Sequence, residues 1–151
     1  MDISSIFCNL TSVNQRVMLP SQGTIQFSEH SVLYDMLIPK DHLLRKINDL
    51  IDFNFVYKEL KAKYCPDNGR IAEDPVRMFK YLLLKTIYTL SDVDVVEHSR
   101  YDLSYKYFLG MMPEDDVINP SSLCKFRRIR LKDLDLLDML INKTVCLAIE
   151  K

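Results

Sequence analysis

Glycine is scarce in this chain, with only three among 151 residues. An all-β sandwich needs more turn glycines than that, and the abundance of Leu, Lys, Asp and Ile favours helices instead. Long apolar runs are missing too. The longest are four or five residues, and Lys80 and Lys85 interrupt the strongest, so nothing reads as a membrane span. The opening sixteen residues, MDISSIFCNLTSVNQR, lack a basic start and a long apolar stretch, so no secretory signal is visible and a cytoplasmic protein is expected. Paired cysteines are absent. Cys8, Cys65, Cys124 and Cys146 are widely spaced, no CxxC occurs, and His30, His42 and His98 do not fall at zinc-ligand spacing. Reduced, mostly buried thiols and no metal are therefore expected. No GxSxG or Cys–His signature occurs, so His42 and His98 read as capping or surface residues and no catalytic residue is assigned. On its own the chain does not read as an enzyme.

What is present is one domain's length of ordinary globular composition, 48% hydrophobic and 27% charged. Residues 1–33 alternate short apolar pieces with polar ones around Pro20 and Gly23, which predicts an irregular arm with one short strand at 24–27. The helical domain is expected over 34–151, with the helical pattern itself starting at Asp41. Asp41 is placed to cap a helix with the apolar face Leu43, Leu44, Ile47, Leu50 and Ile51, and Asn54 to cap the next. CPDNGR (65–70) reads as a turn. Asp74-Pro75 opens a central buried helix with Phe79, Leu82, Leu83, Thr86, Ile87 and Leu90 in step, Leu84 and Tyr88 adding a second apolar face. Ser91 and Asp94 make a capping box, Asp102 caps a short helix closed by Gly110, and Asn119-Pro120 opens another. A last helix covers about 133–149. The expected fold is all-α: a single domain of six or seven short helices with a helix-turn-helix-like segment. The aromatic residues Tyr101, Tyr105, Tyr107 and Phe108 read as core packing.

The stretch NPSSLCKFRRIRLK (119–132) holds five cations and no carboxylate, although the whole chain carries a net charge of −1. At 100° per residue, with Leu123 at 0°, Ser121, Lys125, Arg128 and Lys132 fall between about 140° and 200°. Arg127 and Arg130 lie with Leu123 and Phe126 on the core side. The outward set, with Ser122 at the helix start, is placed to meet phosphates or base edges of duplex DNA, and equally could be a plain solvated face. The inward pair is placed for ion pairs with carboxylates of neighbouring helices or of the acidic loop 114–116. Two short helices before a helix with exposed cations is the order of helix-turn-helix proteins. A net-acidic remainder would orient a polyanion onto this one patch.

In order along the chain, IPKDHLLRKINDLIDFNFV (38–56), GRIAEDP (69–75), LLLK (82–85), LSD (90–92), YKYFLG (105–110) and PSSLCKFRRIRL (120–131) resemble the N-terminal domain of bacterial insertion-sequence transposases of the DDE type. Ile71 departs from that family's usual proline after Gly-Arg. The resemblance implies a helical domain that helps to recognise the terminal inverted repeats of a mobile element. It also implies that strand cutting, with three carboxylates and a divalent metal such as Mg, belongs to an RNase H-like domain beyond Lys151. Two other roles are compatible with the sequence. One is homo-oligomerisation through the 133–149 helix, and the other is an inactive, truncated remnant.

Overall fold

The computed structural model describes residues 29–61, 73–131 and 134–150. The strand expected at 24–27, the turn at 65–70, Ile71, Lys132, Cys8 and Cys65 lie outside these residues. Among the described residues the fold is all-α, with eight helices and no strand. A 3-10 turn at Glu29–Ser31 leads into α1 (Val32–Leu37), so helical structure reaches into the segment expected to be an irregular arm. There follow α2 (Leu43–Leu50), α3 (Asn54–Lys61), α4 (Pro75–Ile87), α5 (Asp92–Tyr101), α6 (Leu103–Phe108), α7 (Pro120–Arg130) and α8 (Leu134–Ile149).

Local chemistry fixes most helix starts. Asp74 accepts from the Val76 N–H at 3.0 Å, with Pro75 at the first helical position of α4. Ser91 accepts from the Asp94 N–H at 3.1 Å and donates to the Asp94 carboxylate at 2.6 Å, closing the capping box of α5. Asp102 accepts from Ser104 N–H, and Asn119 from Ser121 N–H. Two starts differ from expectation by a residue or two. His42, not Asp41, caps α2 through Nδ1, because a turn closed by His42 N–H on Pro39 O places Asp41 before the cap. Asn54 is the first residue of α3, and Asp52 accepts its N–H.

α4 is the centre of the fold. α3, α5 and α7 pack on it; α6 packs on α1, α2 and α5; α8 packs on α2. Every α4 residue from Val76 to Leu84 is buried except the half-buried Arg77, so Leu84 belongs to the core and not to a lesser second face. Ile87 and Thr86 emerge at the last turn, which carries the helix out of the core. Phe53, Phe79 and Phe108 meet at ring-centroid distances of 6.0–6.4 Å. Lys80 is buried among them. Its Nζ lies 4.7 Å from the Phe53 ring centre and 5.1 Å from that of Phe108, and donates to Asn48 Oδ1 at 2.7 Å.

Of the four aromatics expected in the core, Phe108 and Tyr105 are buried and Tyr107 is half-buried, whereas Tyr101 at the end of α5 is 78% exposed. The two described cysteines also depart from expectation. Cys124 and Cys146 are exposed, because they fall on the outer faces of α7 and α8, away from Leu123 and Leu140.

Candidate nucleic-acid interface

The core side of α7 is seated by Leu123, fully buried, and Phe126, at 5% exposure, with Leu131 buried just past the helix end. Seating the helix this way turns the opposite side outward. Ser121, Cys124, Lys125 and Arg128 are all exposed, at the i, i+3, i+4, i+7 spacing of one helix face, and Ser122 is half-buried at its flank. Among the described residues neither Lys125 nor Arg128 pairs with a carboxylate.

Arg127 behaves differently. Both of its terminal nitrogens donate to the Asp92 carboxylate, one to Oδ1 at 2.8 Å and the other to Oδ2. Lys85 Nζ reaches the same carboxylate at 2.6 Å. One acid therefore ties α4, α5 and α7 together. Burial raises the Asp92 pKa, but the hydrogen bonds and charges of Arg127 and Lys85 outweigh it and hold the carboxyl below its usual range. The same hydrogen bond raises the Arg127 pKa. The acid facing Arg127 is on a neighbouring helix and not in the acidic loop, where the Asp115 carboxylate instead accepts the Met112 N–H. That loop is held by Lys106, which donates to Pro113 O and Asp115 O at 2.6 and 2.7 Å. Arg130 is half-buried and lines a groove of about 190 Å³ with Glu73, Met78, Ser122, Lys125, Phe126 and Ile129.

Sequence reasoning did not find the role of Asp92, which lies 35 residues from Arg127 and reads locally as part of a helix cap. Its signal was an acid at the start of one helix and two cations on the core sides of others. Glu73 and Ile129 also escaped it, since only folding brings them to one groove. The segment differs from a simple helix-turn-helix, whose two helices are joined by a turn of about 3–4 residues. Here α7 packs on α5, while α6 and residues 109–119 intervene in sequence.

Among the described residues no three His, Cys, Asp or Glu side chains gather to hold a metal ion, and no helix is long and apolar enough to cross a membrane. The fold and this face define an all-helical domain that presents a firmly seated cationic helix to solvent. A family model, Transposase domain (DUF772), matches residues 32–128, and the chain belongs to that family. No curated protein and no solved structure matches the chain.

Proposed function

We propose that the chain is a DNA-binding domain of a transposase and recognises the terminal inverted repeats of a mobile element. One observation carries this reading: α7 is locked on its inner side by Leu123, Phe126 and the Arg127–Asp92 pair, while Ser121, Lys125 and Arg128 face solvent with no carboxylate partner among the described residues. Lys132 continues the row in the sequence. A rigid helix with a free cationic face suits the duplex backbone, and the Ser121 and Ser122 hydroxyls add donors at its start, where Asn119 already accepts both of their backbone N–H groups. Family membership supports the same partner. Cutting chemistry and its divalent metal belong, in this reading, to another part of the transposase, and no residue here is assigned to them.

The test is a mobility-shift titration of a duplex carrying the element's ends against a scrambled duplex, at two salt concentrations. Wild type should prefer the ends and weaken steeply with salt. Replacing Lys125, Arg128 and Lys132 with Ala should lower the salt slope by about 1 for each of these side chains that neutralises a phosphate. An affinity unchanged in the triple variant would end the reading.

A second reading, homo-oligomerisation through α8, has its own support. Met139, Val145 and Ile149 are exposed on that helix, the last at 78%. Sedimentation at high protein concentration tests it, and a strict monomer would remove it.

A further inference from the structure

The DNA reading above is the ground for a more specific assignment at Ile129. This side chain is 48% exposed on the third turn of α7, next to Arg128 and one turn from Lys125. Core packing does not account for it, because Leu123, Phe126 and Leu131 already fill the inner side. Ile129 instead forms the lip of the groove between α7 and the start of α4. The apolar surface of that groove comes from Met78, Phe126 and Ile129, and Glu73, Ser122, Lys125 and Arg130 form its polar edge.

A phosphate would gain from Lys125 and Arg130 but nothing from the aliphatic surface of Ile129, and the Glu73 carboxylate would repel it. Base edges offer a better match. In the major groove the thymine C5-methyl is the apolar group on display, and aliphatic side chains contact it. The cations of the same face would hold the backbone while the aliphatic flank meets the base edge. We propose that Ile129 is a specificity-determining residue that contacts a thymine methyl, so that the recognised site requires thymine at one position.

The experiment starts from a synthetic duplex pool with a randomised centre, selected on the full chain. The best-bound sequence is then resynthesised with each thymine replaced in turn by uracil, which removes only the methyl. One position should weaken wild-type binding about fourfold, the worth of one buried methyl group. Ile129→Ala should bind the thymine and uracil duplexes equally. Its fold should survive, since the side chain is outside the core, and circular dichroism checks this. Lys125→Ala should weaken both duplexes alike and keep the preference for thymine. Wild type that binds duplex but ignores every uracil, or an Ile129→Ala variant that keeps the preference, overturns the assignment and leaves the DNA reading standing. Wild type that selects no duplex at all removes the DNA reading and this assignment with it.

Discussion

Asp92 shows how one carboxylate can position a helix. It is in the first turn of α5, where an acid already suits the helix dipole, and it also receives Lys85 from α4 and Arg127 from α7. All three side chains are a third or less exposed, so the cluster is worth more than an ordinary surface pair. Asp92→Asn keeps the shape and removes the charge. It should cost about 1–2 kcal/mol near neutral pH, between the values for exposed and buried pairs. The sign with pH is fixed by the depressed carboxyl pKa. The stabilisation is complete above the unfolded value, near ~3.9, and disappears as pH falls through the lower folded value. Urea titrations at about pH 7 and about pH 3 should show a gap between wild type and variant that closes in acid. A gap of the same size at both would mean that the charge is not what matters.

Two helices stop by the same device with different residues. At the end of α6, Gly110 has φ +68°, its N–H meets Tyr107 O at 3.1 Å, and the Met111 N–H meets Lys106 O at 3.0 Å. This is a Schellman closure with glycine in the left-handed position. At the end of α4 the Leu90 N–H meets Lys85 O at 2.9 Å, and the residue in the left-handed position is Thr89, with φ +53°. A β-branched residue pays a steric penalty there that glycine avoids. Thr89→Gly should therefore stabilise the protein by about 1 kcal/mol, read as a raised Tm with an unchanged helical spectrum. A lowered Tm would show that the Thr89 side chain supplies more than the strain costs.

The same contrast marks what was legible in the sequence. Gly110 announced its helix end because its conformation belongs to glycine, whereas Thr89 gave no such signal. The starts at Asp74-Pro75, Ser91, Asp102 and Asn119-Pro120 were readable because a cap and its target are two or three residues apart. The start at His42 was misplaced because a turn from Pro39 decided it. α1 was missed because it is one short helix with only Tyr34 buried. The outward row on α7 followed from 100° periodicity alone, but the partner of Arg127 did not, since nothing local links it to Asp92.

At the scale of the whole molecule the least expected group is Lys80. Its ammonium joins Asn48 of α2 to the Phe53 and Phe108 rings, whereas Lys106, equally buried, spends its ammonium on the carbonyls of Pro113 and Asp115. Burial lowers its pKa to about 8; Asp74 opposes the shift and Arg77 adds to it. The unfolded chain keeps this proton up to about pH 10.4, so between about 8 and 10.4 the unfolded state binds more protons and stability rises with pH. The core tyrosines act in the opposite sense at higher pH. Burial raises Tyr81 and Tyr105 to about 12, with neighbouring groups adding to the shift at Tyr105. An unfolded tyrosine ionises near ~10, so above that pH the native state holds more protons and stability falls. Stability should therefore climb from about pH 8, peak near about pH 10 and then decline. Lys80→Met removes the climb and keeps the decline. At neutral pH it should leave stability equal or raised, because an apolar side chain of similar length replaces a buried charge and half-buried Asn48 can turn to water. The gain should shrink as pH approaches 10.4 and the wild-type lysine loses its charge. Urea titrations of both proteins across this range decide the matter. Parallel curves would show that the Lys80 ammonium is as well accommodated in the aromatic cage as in water.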